Sequence, residues 1–299
     1  MEITSWDIAL IVSKAIFYGS LAILIGYIFY GEKLRSHLNS SSTNFFTNYR
    51  RLVGVLIILG LFSQLVWFLS NVGAMSEDGI SGMLDRDMID IVWGTAIGSV
   101  TQVRVAGLIL ALICLGIMQL AWVSNFRTMI YLLYGLSCGL LLYSFSLVGH
   151  ISELQLSAKL LLSLHVGIMA WWFGMLIPLK VLCQASDYNS LHKVMHDFGK
   201  QASIMVPILL VFGLIIATML VGSFERLITT PYGQLLISKI FTVALLLSLA
   251  AIHKYKFVPR LKVNHGRRQL SKSISVEIVI AVSVLFVTAA LTTLTGPHN

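Results

Sequence analysis

Long apolar runs separated by short polar segments dominate the pattern of this chain. Each run holds about 20 residues, enough for an α-helix to cross a bilayer core of roughly 30 Å. Backbone groups in lipid must satisfy one another's hydrogen bonds, so runs of this length predict helices. Eight spans are predicted, at about 7–30, 51–75, 99–121, 129–149, 160–181, 201–224, 232–252 and 274–296.

Composition supports an integral membrane protein and excludes an ordinary soluble domain. Hydrophobic residues make up 57% of the 299 positions and charged residues 11%, and the mean hydropathy is +0.85. The longest connections, 31–50, 76–98, 182–200 and 253–273, are too short to form a second core. The chain is therefore predicted to be a single all-α membrane domain over 1–299, a polytopic bundle of eight helices. Its acidic first residues and the absence of a small-residue cleavage site predict no cleavable signal peptide.

The charge distribution predicts topology rather than nucleic-acid binding, although the net charge is +8. Connections after odd-numbered spans hold 15 of the 21 Lys and Arg residues, and connections after even-numbered spans hold three. Because excess Lys and Arg marks the cytoplasmic side, both termini are predicted to be periplasmic. The opposite side carries nine acids against those three bases, a surface that attracts cations, including metal ions and a basic carrier protein.

An amphipathic segment lies on the predicted outer side, at 81–96. Its apolar positions fall on one helical face, which is typical of a helix lying in the membrane interface; they are Leu84, Met88, Ile91, Val92 and Thr95. Three methionines in this region offer soft sulfur to Cu(I), or serve simply as packing; they are Met75, Met83 and Met88.

The candidate ligands are His150, His165 and Met169. His150 ends the fourth span at its outer end, and His165 lies about five residues into the fifth, roughly 8 Å deep. Met169 follows His165 by four residues and so shares its helical face. Imidazole binds copper in both common oxidation states and thioether favours Cu(I), so this set predicts a copper site. The alternative is that the imidazoles are ordinary packed or hydrogen-bonded groups.

Three embedded cations leave a second function class open. Lys14, Arg104 and Lys239 lie five to eight residues inside the outer ends of their spans, and extension to the headgroups is the simplest expectation. If they face inward, they would suit the propionates of a haem b in a membrane redox protein, with His150 and His165 as axial ligands. A sensor or assembly factor is a third class.

The predicted cytoplasmic side carries weaker candidates. His192, His196, His253 and His265 are expected to be solvated, and Glu277 is expected to pair with the basic 253–273 connection. Cys114, Met118 and Cys183 would suit Cu(I) release or ordinary packing, and the three cysteines, with no CxxC spacing, predict no disulfide framework.

Three motifs together resemble the copper resistance D (CopD-type) family of bacterial inner-membrane proteins. Gly149-His150 ends one span, and His165 with Ala170–Gly174 follows in the next. TTPYGQLLISK (229–239) resembles the family's Thr-x-Tyr-Gly-x-x-Leu-Leu-x-Lys, and 275–297 resembles its closing span with Glu277. The chain departs from the family's usual Gly-Gly at Gly174-Met175, and from its Asn-Arg at His253-Lys254.

The resemblance implies copper handling at the bacterial inner membrane, with copper moving from the periplasm towards the cytoplasm. It also implies a small periplasmic copper-binding partner of the CopC type, and no catalytic activity of the protein's own. Membrane lipids are the other expected partner. No nucleic-acid partner is expected.

Overall fold

The computed structural model describes residues 3–33, 43–76, 79–118, 126–185, 188–261 and 264–295. Within these ranges every regular element is a helix, as the apolar pattern predicts. The α-helices are α1 (Ser5–Lys33), α2 (Thr43–Ser76), α3 (Arg86–Trp93), α4 (Ala96–Ile117), α5 (Arg127–Tyr143), α6 (Leu156–Ala185), α7 (Tyr188–Val221), α8 (Phe224–Thr229), α9 (Pro231–Ile252) and α10 (Asn264–Leu294).

Eight of these helices are long and apolar enough to cross a membrane, and each corresponds to one predicted span. They are α1, α2, α4, α5, α6, α7, α9 and α10. α9 shows why one of them begins where it does. The Thr230 hydroxyl accepts a hydrogen bond from the Gly233 backbone N–H at 3.1 Å, and Pro231 follows as the first helical residue. This cap and the fixed φ of proline together favour a helix start. The eight-helix prediction is confirmed.

The fifth helix in chain order ends earlier than its apolar pattern predicts. The predicted span ran to 149, but α5 ends at Tyr143 and a 3₁₀ turn covers Ser144–Ser146. The Ser144 and Ser146 hydroxyls donate to the carbonyls of Leu141 and Tyr143, each at 2.7 Å. Such side-chain bonds compete with the helical backbone pattern. Gly149, at φ 79°, then adopts a left-handed conformation that glycine tolerates.

α1 forms the centre of the bundle. More of its apolar stretch is buried than in any other described span, and it packs against α2, α6 and α10. Its closest approach is to α6, where Gly26 faces Gly174. A Cβ at Gly174 would overlap the Ala22 carbonyl oxygen, and a Cβ at Gly26 would overlap the Gly174 backbone. Small residues are what allow two helix backbones to approach this closely.

α7 and α9 lie at the periphery. They are the least buried of the described spans; α7 packs mainly against α6, and α9 mainly against α10. Large apolar side chains on both helices are exposed, as expected for surfaces that face lipid. The bundle therefore has a compact part around α1 and a looser part formed by these two helices.

The segment predicted to be one amphipathic helix at 81–96 is a 3₁₀ turn, Ser81–Leu84, followed by α3. The Asp85 carboxylate separates the two by accepting hydrogen bonds from the backbone N–H groups of Asp87 and Met88. Val92 and Met88 pack with Phe68 and Val72 of α2. Leu84 and Ile91 of the predicted apolar face are exposed instead. The sequence pattern therefore predicted the packing of Met88 and Val92, and it missed the acidic cap that divides the segment.

Candidate functional site

His165 lies on the face of α6 that contacts α7. Its Nδ1 atom is 3.0 Å from the carbonyl oxygen of Leu209. A carbonyl oxygen can only accept a hydrogen bond, so Nδ1 of the imidazole must carry the proton. In the neutral ring the lone pair then belongs to Nε2. Metal-binding histidines commonly show this pattern, in which one nitrogen donates to a backbone carbonyl and the other is the ligand.

Gly213 on α7 makes room for this imidazole. A Cβ at Gly213 would lie 2.9 Å from Cε1 of His165 and 3.4 Å from Nδ1. The side-chain-free surface of Gly213 is therefore in direct contact with the ring, one helical turn after Leu209. The backbone of α7 thus surrounds one side of this half-buried imidazole, through the Leu209 carbonyl and Gly213.

Met169 follows one turn along α6, as its sequence spacing predicts. Its side chain is half-buried and packs against the central hydrophobic core. Ala170, Trp171 and Trp172, which follow it, are buried in the same core. The thioether is therefore held in a packed environment at a level deeper in the helix than His165, if the chain enters α6 from the outer side.

His150 opens a short 3₁₀ helix, His150–Glu153, directly after Gly149. Its side chain lies outside the described residues, so the predicted approach of His150 to His165 stays a prediction. In the described ranges no group of three or more His, Cys, Asp or Glu side chains is arranged to hold a metal ion. A site centred on His165 therefore depends on His150, on thioether ligands or on both.

Arg104 does not extend to the headgroups, contrary to our expectation. It is 3% exposed, and its guanidinium lies over the ring of Phe17 with the Cζ atom 4.3 Å from the ring centroid. The Nε atom donates to the Ser144 hydroxyl at 3.1 Å, and Nη1 to the side-chain oxygen of Gln64 at 3.4 Å. Aromatic faces and neutral acceptors stabilise this cation inside the bundle.

Lys14 also bonds to another helix of the bundle instead of extending to the headgroups. Its Nζ donates to the Thr292 carbonyl and to the Thr293 hydroxyl, each at 2.9 Å. Both acceptors lie in the last turn of α10, where unsatisfied carbonyls attract cations. Lys14 therefore ties the beginning of α1 to the end of α10.

A buried polar cluster joins α10 to the end of α9 and was only partly predicted. The Glu277 carboxylate is 2.8 Å from Nδ1 of His253, and Nε2 of His253 is 2.6 Å from the Ser273 hydroxyl. The predicted pairing of Glu277 with the 253–273 region is confirmed, and the expectation that His253 is solvated is wrong. An acid inside one span and a histidine at the end of the preceding span were the available signal.

The remaining candidates take ordinary structural positions. All three cysteines are free and buried, and Cys114, Cys183 and Met118 pack in the central core. His196 is exposed beside Asp197, as expected. Met88 packs against α2, and Met75 near the end of α2 is exposed, so copper ligation by the outer methionines stays a prediction.

The fold defines a multi-pass α-helical membrane protein, with a half-buried histidine between its sixth and seventh α-helices. The family model for copper resistance protein D matches residues 192–291, and that for the copper resistance protein D-like N-terminal domain matches residues 4–155. The chain therefore belongs to the copper resistance protein D family, which supports a role in copper resistance. No curated protein and no solved structure matched the chain. The matches give no support to the haem-binding alternative.

Proposed function

We propose that this protein accepts copper on the periplasmic side of the bacterial inner membrane and moves it towards the cytoplasm. His150 and His165 form the outer binding site, and Met169 is the next ligand inward. The protein acts as a carrier of copper and not as an enzyme. This proposal combines the family's role in copper resistance with the position and chemistry of one histidine.

The orientation of the His165 imidazole carries the proposal. Its Nδ1–H donates to the Leu209 carbonyl, which leaves Nε2 with a lone pair for a metal. A hydrogen bond of this kind fixes the tautomer and makes the ligand nitrogen more basic. Met169 on the same face would supply a thioether, which favours Cu(I) over harder ions.

The membrane potential supplies a reason for inward movement. A unit positive charge moving inward across 100 mV gains about 2.3 kcal/mol. The sequence contains no GxxxxGK[ST] motif for binding a nucleotide phosphate. Movement of Cu(I) would therefore follow its gradient, the potential or delivery by a carrier protein. A periplasmic copper-binding protein of the CopC type suits that delivery, because the predicted outer surface is acidic and attracts cations.

Two substitutions on α6 test the proposed ligands. His165→Gln retains a side-chain donor for the Leu209 carbonyl but removes the imidazole, so the Cu(I) affinity of the purified protein should fall more than about 100-fold. Met169→Leu conserves volume and deletes only the sulfur, so Cu(I) binding should weaken while stability changes by less than about 1.5 kcal/mol. Copper accumulation in cells should fall in the same order. Affinity is measured by competition with a Cu(I) chelator.

The same substitutions at positions away from the site serve as controls. His196→Gln changes an exposed histidine on α7, and Met205→Leu changes an exposed methionine on the same helix. Both should bind copper like the wild type. If His165→Gln and Met169→Leu also do so while remaining folded, His165 is only a packed polar residue and the proposal fails.

A further inference from the structure

A cavity lined by cations lies where the end of α6 meets the beginning of α10. Its volume is about 450 Å³. Four basic side chains line it, Lys180 from α6 and Arg267, Arg268 and Lys272 from α10. Two hydroxyl side chains of α10, Ser271 and Ser275, complete the polar part of its wall. The cavity is remote from His165, which lies 15 residues before Lys180 on the same helix, or about 22 Å along its axis.

The charged side chains that line this cavity, among the residues that the structure describes, are all basic. No acidic side chain is among the residues that line it in the described part of the chain. The nearest acid along α10, Glu277, is 2% exposed and is already paired with His253. The cations of Lys180, Arg268 and Lys272 around one space repel one another, so an anion that enters the space lowers their mutual repulsion. Arginine, lysine and serine donors at close range are the groups that recognise phosphate oxygens.

The outer surface of α10 changes character just beyond the cavity. Lys272 is followed at helical spacing by Val276 and Val279, which are 52% and 66% exposed. Val282 and Phe286 extend the same exposed stripe along the helix, and both lie deeper in the span. A basic end that continues into an exposed apolar stripe matches a ligand with an anionic head and an acyl chain. Soluble phosphate would use only the basic end.

We propose that this cavity binds the phosphate of an anionic phospholipid, whose acyl chains follow the exposed valines of α10. Basic pockets between membrane helices at the cytoplasmic surface bind such headgroups in other proteins. The bound lipid would neutralise the α10 cations and join them to Lys180, so it would hold the ends of α6 and α10 together. This site is independent of copper handling.

The first test measures lipid selectivity in the wild-type protein. Delipidated protein in a neutral detergent is titrated with short-chain phosphatidylglycerol or phosphatidylcholine, and bound lipid is counted by native mass spectrometry. We expect one phosphatidylglycerol to bind at least tenfold more tightly than phosphatidylcholine. Equal binding of the two lipids would overturn the proposal. Inorganic phosphate is the competing probe: if it binds and displaces the lipid completely at millimolar concentration, the phosphate site stands and its ligand is soluble phosphate.

Two double variants of equal charge change locate the site. Arg268→Gln with Lys272→Gln removes two exposed cations of the cavity, and Lys193→Gln with Lys200→Gln removes two exposed cations of α7 on the same predicted side. Each headgroup cation contributes about a fivefold gain in affinity, so the cavity variant should bind phosphatidylglycerol about 25-fold more weakly. The α7 variant should bind like the wild type. Equal losses in both variants would assign binding to diffuse surface charge and refute the cavity site.

Discussion

At the scale of single residues, the orientation of His165 is set by the backbone of α7. The Leu209 carbonyl accepts the Nδ1 proton, and the bare surface of Gly213 leaves space for the ring. Neither residue offers a side chain that could bind copper itself in this arrangement. Their effect on a metal at Nε2 would be indirect, through the tautomer and position of the imidazole.

Gly213→Ala tests this indirect effect without altering a ligand. The added methyl group would lie 2.9 Å from Cε1 of His165, so the ring or the α7 backbone must shift, and we expect the hydrogen bond to Leu209 to be weakened. Loss of a partner that orients a metal-binding histidine costs about 10- to 100-fold in affinity. The Cu(I) affinity of the purified variant should fall by that factor.

Gly199→Ala is the matched control for this substitution. Gly199 also lies in α7, and a Cβ there meets no atom within 4 Å. It should leave copper affinity unchanged, and by helix propensity it should be stabilising by up to about 1 kcal/mol. Unchanged affinity in Gly213→Ala would mean that the contact with α7 does not position a ligand.

The sequence could single out His165 and Met169 as candidate ligands, but it could not reveal the groups that they contact. A histidine inside an apolar span is visible because ionisable residues there are costly and rare. A bond from that histidine to a backbone carbonyl leaves no mark on the residue type that supplies it, so Leu209 could not be predicted. Arg104 was misjudged for a related reason. Its aromatic and amide neighbours come from α1, α2 and the turn after α5, and only the packing of these elements brings them together.

At the scale of helices, the crossing of α1 and α6 depends on two glycines. Gly26 and Gly174 bring the backbones into contact, and neither position has space for a Cβ. Tight packing of this kind is a main source of association between helices in lipid, where burial of apolar surface offers little gain. The crossing also holds in place the helix that carries His165.

Gly174→Ala should strongly destabilise the protein. The new methyl group would overlap the Ala22 carbonyl oxygen, so α1 and α6 must separate and lose contacts along the crossing. Overpacking typically costs about 1–3 kcal/mol, and a rigid backbone partner puts this site at the upper end. The thermal unfolding midpoint in detergent should fall accordingly. Gly139→Ala on α5, where no atom lies within 4 Å of the added carbon, should not lower it; equal midpoints for the two variants would contradict tight packing at this crossing.

Hydropathy predicted all eight spanning helices because each of them needs about 20 consecutive apolar residues to cross the bilayer core. This holds whether those residues face lipid or the protein interior. It failed at the end of α5, where the apolar pattern continues but the hydroxyls of Ser144 and Ser146 bond to the last carbonyls of the helix. It also did not reveal that α1 is central while α7 and α9 are peripheral. Lipid and protein interior are equally apolar, so a lipid-facing helix and a buried one have similar sequences.

At the scale of the whole molecule, the distribution of charge predicts orientation in the membrane. Lys and Arg concentrate in the connections after odd-numbered spans, which predicts that those connections are cytoplasmic. The orientation decides whether His165 lies nearer the periplasm or the cytoplasm. It therefore decides whether the proposed outer site can receive copper from outside the cell.

Reporter fusions measure this orientation. At insertions in 182–200 or 253–273, a reporter that is active only in the cytoplasm should give a signal. At insertions in 76–98 or after Asn299, a reporter that is active only in the periplasm should give a signal. The reverse pattern would place His165 near the cytoplasmic face and would reject uptake through His150 and His165, whereas copper resistance as such would remain.

The contact between Gly26 and Gly174 has a mechanical consequence for the copper movement proposed above. Where two backbones are in direct contact, no side chain lies between them that could change its rotamer. We therefore expect α1 and α6 to move together as one rigid body. The opposite side of α6 is different, because the peripheral α7 contacts it there through an imidazole and a glycine. We therefore expect that a conformational change that opens a path for copper would be a rotation of α7 relative to α6. Such a motion would have to break the hydrogen bond between His165 and the Leu209 carbonyl.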